Sequence, residues 1–202
     1  MKVTLIDAGT GNLRSVFKAL ESLGAEVILT DDPRLVRSAG RVVLPGVGAF
    51  GDFMAGLRQK GLDEAICQIA RRGCPLLGIC VGMQALLDTS LEMGEHAGLR
   101  LVPGRVIRFA SEPRLKVPHT GWNQLWPRVD SPLFQGLEPG SYAYFNHSYY
   151  CAPQSQADLL WTTDYGIEFA SAIQHDNLSG VQFHPEKSQR IGLQVLVNFL
   201  SM

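Results

Sequence analysis

Residues 3–29 place the strongest constraint on how this chain can fold. Val3-Thr4-Leu5-Ile6 is a mostly apolar run of strand length. Beyond a glycine turn, Leu13, Val16, Phe17, Leu20 and Leu23 recur at the spacing that lines one face of a helix, with Asn12 as the expected N-cap. Gly24 stands where a helix ends, and residues 25–29 return as a second strand. A helix joining two strands makes them parallel, and parallel sheets need helices on both faces.

The rhythm continues through a third strand at 41–44 and apolar positions Phe53, Met54 and Leu57. A helix follows with Leu62, Ala65, Ile66, Ile69 and Ala70 inward and Gly73 at its end, then a strand at 76–79. Beyond about residue 100, short strands are predicted at 106–109, 142–145, 170–173 and 180–183, with Asp176-Asn177 turning the last two into a hairpin. Ile191, Val195, Leu196 and Phe199 predict a closing amphipathic helix. There is no repeat and no linker. The expected architecture is one α/β domain over 1–202, with a mostly parallel central sheet between helical layers, extended by antiparallel strands.

Composition narrows the partners. Eighteen Lys plus Arg against nineteen Asp plus Glu leave a net charge of -1, so no global field draws the chain to nucleic acid or to a membrane. Cys67, Cys74, Cys80 and Cys151 form no C-x-x-C pair, which argues for a reducing compartment and no metal site. Asp7 interrupts any signal-peptide core, and the apolar run at 76–83 is far shorter than a membrane span. A cytoplasmic protein is expected.

Chemistry concentrates at Gly78-Ile79-Cys80-Val81-Gly82-Met83-Gln84, where a cysteine sits between a strand and an expected helix, with glycines two residues to either side. Small neighbours allow the sharp turn of a nucleophile elbow, and a helix N-terminus would favour the thiolate. A cysteine at such a place can equally be a small packing residue, and the elbow alone leaves both readings open. Cys67, Cys74 and Cys151 read as structural, the last in a loop. In Gly180-Val181-Gln182-Phe183-His184-Pro185-Glu186, His184 ends a strand. Were the chain to stay extended through Pro185, the period of two would put Glu186 on the same side, able to fix the imidazole tautomer. Pro45-Gly46-Val47-Gly48 follows the third strand and offers N–H groups for an oxyanion hole, with Val81 N–H as the second donor.

Two further patterns carry less. Asp7-Ala8-Gly9-Thr10-Gly11-Asn12 starts like a dinucleotide fingerprint, with Asp31 placed for a ribose, but Arg14 stands where the third glycine is needed. No nucleotide is expected there. His119 and His147 lack metal-ligand spacing and read as structural or interface residues.

Together, the Cys80 elbow, Pro45-Gly46-Val47-Gly48 and Phe183-His184-Pro185-Glu186 resemble the class I, triad-type glutamine amidotransferases. Pro118-His119-Thr120-Gly121-Trp122-Asn123, Tyr144-Phe145-Asn146-His147-Ser148-Tyr149 and His184-Pro185-Glu186-Lys187-Ser188-Gln189 are similar to the branch formed by glutaminase subunits of imidazole glycerol phosphate synthase. The resemblance covers essentially the whole chain and implies a flavodoxin-like fold and no cofactor. It assigns Cys80 as nucleophile, His184 as proton shuttle and Glu186 as its orienter, with Val47 and Val81 at the oxyanion. Gly48, Gln84, Glu92 and Ser148 would bind L-glutamine. Asn12, Trp122, Tyr144 and Lys187 would face a separate (β/α)8-barrel cyclase subunit in a heterodimer. Ammonia would pass to that subunit, there to meet an aminoimidazole carboxamide nucleotide in histidine biosynthesis. The length would suit a free-standing glutaminase without a fused synthase domain. The resemblance also implies an idle enzyme until the loaded partner docks, with the peptide at 45–48 as the switch. Asn146 and Val81 depart from the commoner aliphatic residue and leucine at those positions. The alternatives are a glutaminase serving another synthase, such as that of pyridoxal phosphate, a general cysteine hydrolase, and a catalytically silent docking protein of the same fold.

Overall fold

The computed structural model describes residues 1–9, 12–110 and 115–202. Thr10 and Gly11 of the first glycine turn therefore lie outside the described residues. The chain runs β1 (Lys2–Ile6), α1 (Leu13–Ser22), β2 (Glu26–Thr30), α2 (Pro33–Arg37), β3 (Val42–Gly46), α3 (Phe50–Gln59), α4 (Leu62–Arg71), β4 (Leu76–Cys80) and α5 (Val81–Gln84). It continues β5 (Leu87–Ser90), β6 (His96–Ala97), β7 (Val102–Arg108), β8 (His119–Pro127), β9 (Ser141–His147), β10 (Tyr149–Pro153), β11 (Leu159–Asp164), β12 (Glu168–His175), β13 (Leu178–Val181) and α6 (Gln189–Ser201). No helix among the described residues is long and apolar enough to cross a membrane.

A nine-stranded sheet in the order β2-β1-β3-β4-β13-β12-β11-β8-β9 forms the centre. Its first five strands are parallel and follow the flavodoxin-like order, and the remaining four pair antiparallel. The expected α/β architecture is thus present, with an antiparallel half larger than the sequence pattern indicates. A separate four-stranded sheet, β10-β7-β5-β6, was not foreseen.

Strands β3 and β4 are buried along their whole length, which is why they read as continuous apolar runs. Val16, Ala19 and Leu20 of α1 and Leu62, Ala65, Ile66, Ile69 and Ala70 of α4 supply the helical side of the core. Asn12 occupies the N-cap position of α1, but its Oδ1 accepts from the Ser15 hydroxyl at 2.8 Å and no backbone N–H is capped. Gly24 ends that helix unit at φ +77°, a conformation other residues adopt at a cost. Asp31 pairs with Lys60 at 3.0 Å, and Asp7 Oδ1 accepts from the N–H of Gly9 within its own turn, so both acids of the dinucleotide-like stretch are engaged locally.

In register, Gly46 of β3 lies opposite Cys80 of β4, and Val181 of β13 lies opposite Ile79. The carboxyl ends of three adjacent parallel strands therefore deliver the 45–48 peptide, Cys80 and the 182–186 segment to one place. Ligand sites of open α/β sheets form at such strand ends.

Candidate active site

Cys80 holds φ 55° and ψ -111°, in sparsely populated backbone space for a residue with a side chain. Its neighbours explain how the chain reaches that turn. A Cβ on Gly82 would sit 1.8 Å from the Leu44 carbonyl oxygen, and one on Gly78 would sit 2.6 Å from the Gly82 oxygen. Only glycine at both positions lets the elbow fold back against β3. The helix expected after the cysteine is shorter than its pattern suggests, since α5 spans four residues before the chain turns toward β5. Four residues carry little macrodipole, so support for a thiolate has to come from side chains and from the Val81 N–H, which heads α5 without an intrahelical acceptor.

The three side chains of the expected triad meet. His184 and Glu186 are joined by an Nδ1 to Oε1 contact of 3.1 Å, and both side chains are almost fully enclosed. The route differs from the extended geometry anticipated for 184–186. Pro185–Lys187 forms a 3-10 turn, and Pro185, with its fixed φ, opens that turn. Glu186 reaches the ring by curling back, while its Oε2 is buried without a partner among the described residues. Burial works against the His184 imidazolium, but hydrogen bonding to Cys80 and Glu186, with the negative charge of both, outweighs it and raises the pKa to about 10.

Cys80, Val81, Val47, Gly48, Gln84, Glu92, Ser148, His184 and Lys187 line one cleft of about 280 Å³. Asn146 also lines it, with Oδ1 accepting from the Thr120 hydroxyl at 3.0 Å. A roomier hollow of about 510 Å³ around Phe134 and Trp161 contains none of these groups. Glu92 is more than a wall residue, because its Oε2 accepts from the Phe50 N–H at 2.7 Å and so caps α3. Gln84 donates from Nε2 to the Tyr149 carbonyl and to Gln182 Oε1, each at 3.0 Å. Ser148 spends its own carbonyl on the Phe109 N–H at 3.1 Å.

Outside the cleft, Trp122 and Tyr144 face each other across β8 and β9 with ring centroids 6.0 Å apart, and the Nζ of Lys187, a residue of the cleft wall, lies 5.6 Å from the Tyr144 ring. The Tyr144 carbonyl accepts from the His184 N–H, and the Tyr144 N–H donates to Ser188 Oγ, each at 2.9 Å. Asn12 lies at the head of α1, which packs against the turn at Pro185–Lys187.

Residues read as bystanders divide. Cys151 sits in strand β10 opposite Val106, not in a loop, and full burial pushes its thiol far up. Burial likewise raises the thiols of Cys67 and Cys74. His119 and His147 form a buried pair, Nδ1 to Nε2 at 3.0 Å, and burial holds them down at about 4 and about 3. Gln182 escaped the sequence reading as a site residue, yet its Nε2 stands 3.6 Å from Cys80 Sγ. The signal was its position two residues before His184, directly after the strand that pairs with β4.

Comparisons with known proteins show the family to which the chain belongs. The family described as glutamine amidotransferase class-I matches residues 4–201. The imidazole glycerol phosphate synthase subunit HisH of Moorella thermoacetica is 55% identical over 98% of this chain and 93% of its own. The protein of the same name from Geobacter sulfurreducens is 50% identical over 100% and 99%. Among solved structures, PurLQS from Thermotoga maritima superposes with a TM-score of 0.75 at 20% identity, covering 99% of this chain and 97% of that one, which speaks for the shared fold. On a match spanning nearly its whole length and on full-length relatives near half identity, the chain belongs to the class-I glutamine amidotransferases, in the branch of HisH subunits of imidazole glycerol phosphate synthase.

Proposed function

We propose that this chain hydrolyses L-glutamine to glutamate and ammonia on Cys80, and hands the ammonia to the cyclase subunit of imidazole glycerol phosphate synthase. The observation that carries the reading is a cysteine held at φ 55° in a cleft with a buried histidine whose proton its neighbours stabilise. The Cys80 thiolate attacks the side-chain amide carbon, and the carbonyl electrons move onto oxygen, where the Val47 and Val81 N–H groups would receive them. As the tetrahedral adduct collapses, the C–N bond breaks and His184 gives its proton to the departing nitrogen, leaving a thioester. Water then attacks the thioester, His184 accepts its proton, and the C–S bond breaks to release glutamate and return the sulfur. Glu186 keeps the ring in the tautomer whose Nε2 faces the sulfur.

Gln84, Glu92, Gly48 and Ser148 line the cleft in which the substrate would bind, Glu92 with a carboxylate suited to its ammonium. Ammonia released into water near neutral pH becomes ammonium and loses its nucleophilicity, so the product has to enter a partner through a route closed to water. The exposed Trp122 and Tyr142, with Tyr144 and Lys187 beside the catalytic turn, are the surface for that partner, in a heterodimer working in the cytoplasm. The test is glutaminase turnover in the presence of the cyclase and its nucleotide. Cys80→Ala is expected to abolish it, and turnover equal to that of the unaltered protein would sink the mechanism.

A further inference from the structure

Gln182 is completely buried and follows Val181, which lies opposite Ile79, so the β-ladder carries its side chain alongside Cys80. Its amide reaches the sulfur at 3.6 Å. Which end of the amide faces the sulfur is settled by its neighbours, because the chain of hydrogen bonds behind it starts from a group that can only accept.

That group is the Tyr149 carbonyl. It meets Gln84 at 3.0 Å and His147 Nδ1 at 2.8 Å, so both of these atoms must be donors. The Gln84 atom is therefore its nitrogen. The same nitrogen lies 3.0 Å from one end of the Gln182 amide, and that end must accept, which makes it Oε1. The other end, directed at Cys80, is then the NH2 group. The histidine side gives a matching answer. With Nδ1 of a neutral His147 donating, its Nε2 accepts from His119 Nδ1 at 3.0 Å, and His119 Nε2 accepts from Asn123 Nδ2 at 3.3 Å. Both lone pairs of the Tyr149 carbonyl and both hydrogens of the Gln84 amide are used, so no alternative arrangement leaves every group satisfied.

We propose that Gln182 is a catalytic residue whose amide N–H stabilises the Cys80 thiolate, and that Gln84, Tyr149, His147, His119 and Asn123 act as positioning residues holding the amide in that orientation. This rests on the glutaminase reading and adds a member to its machinery. A hydrogen bond to an ionised sulfur is stronger than one to a neutral thiol, so the donor favours the reactive form. Being an amide, it supplies this without titrating and without competing with His184 for a proton. It also supplies what the four-residue α5 is too short to give.

The test measures alkylation of Cys80 by iodoacetamide across pH in the full chain, with the modified residue read by mass spectrometry. Other titratable groups coupled to this sulfur are His184, with Glu186 behind it, and Cys151. Gln182→Met keeps the length and removes the donor, and the midpoint of the alkylation profile is expected to rise by about one pH unit, with reactivity below the midpoint about tenfold lower. Gln84→Met, which frees the Gln182 amide to turn, is expected to shift the midpoint the same way by less. An amide that merely filled space would lower the melting temperature and leave the midpoint alone, and that result in folded Gln182→Met overturns the proposal. Should that variant not fold, Gln182→Leu, uncharged and without a donor, has to raise the midpoint too, and an unmoved profile there overturns it equally. A Cys80 that stays unlabelled at every pH in the unaltered protein is a different result: it removes the nucleophile, and with it both readings.

Discussion

The cleft is set up by two residues whose preferred states are overridden by their surroundings. Cys80 is held at positive φ because the paths behind it are closed to anything larger than glycine at 78 and 82. His184 is buried where an imidazolium should be disfavoured, yet its partners raise its pKa from 6.5 to about 10. The glycines that permit the elbow were legible in the sequence, since their spacing about the cysteine is itself the pattern. The histidine's charge state was not, because it depends on a sulfur 104 positions earlier in a chain of 202 residues. An elevated folded-state value means that the stabilisation from His184 protonation is complete below about pH 6.5 and is lost as the pH rises through about 10. Nitrogen-detected NMR of the His184 ring is expected to show it protonated at neutral pH, with a midpoint of about 10. Cys80→Ala is expected to bring that midpoint down, since burial then faces only the Glu186 interaction. Titration near 6.5 in the unaltered protein would rule out the charged pair.

Elements with a continuous or regularly periodic apolar pattern announced themselves, and short or mixed ones did not. Strands β3 and β4 and helix α4 were readable from apolar pattern alone, whereas α2 is a single turn of five residues, too short to show a period. Strand β8, His-Thr-Gly-Trp-Asn-Gln-Leu-Trp-Pro, contains glycine and two amides and is a strand because β9 and β11 pair with it, a fact invisible locally. On its exposed face the register brings Trp122 opposite Tyr144 and Gln124 opposite Tyr142. Trp122 is 46% exposed and Tyr142 is 53% exposed, which leaves large aromatic area in water on the strand pair that hydrogen-bonds to His184. Such residues anchor interfaces, so Trp122→Ala is expected to weaken association with the synthase partner by about 2 kcal/mol, measured by isothermal titration calorimetry. Cys80 alkylation in the free chain should be unaltered. Affinity equal to that of the unaltered protein would assign the docking face elsewhere.

At the scale of the whole molecule, the site depends on the last strand being inserted into the first half of the sheet. Strand β13 pairs in parallel with β4 on one side and antiparallel with β12 on the other, so the sulfur at 80 and the imidazole at 184 become neighbours only when both halves are folded. The hairpin turn reinforces the join. Asn177 Nδ2 donates to the carbonyls of Ala70 at 3.1 Å and Cys74 at 2.7 Å, and the Asn177 carbonyl accepts from the Leu76 N–H at 3.1 Å. The sequence gives the turn itself but not that its asparagine clamps the end of α4, a contact across more than a hundred residues. A chain joined in this way has no seam along which the parallel and antiparallel halves can separate, and cooperative unfolding follows. Its probes are conveniently segregated: all three tryptophans, 122, 126 and 161, lie in the second half, and Cys74, 5% exposed, lies in the first. Urea unfolding followed by tryptophan fluorescence and by pulsed alkylation of Cys74 is therefore expected to give coincident midpoints. A Cys74 exposed at distinctly lower urea than the fluorescence change would mean that the strand ending at Cys80 and the strand leading to His184 come apart first, and that the cleft is assembled across a weak boundary, not within a single cooperative sheet.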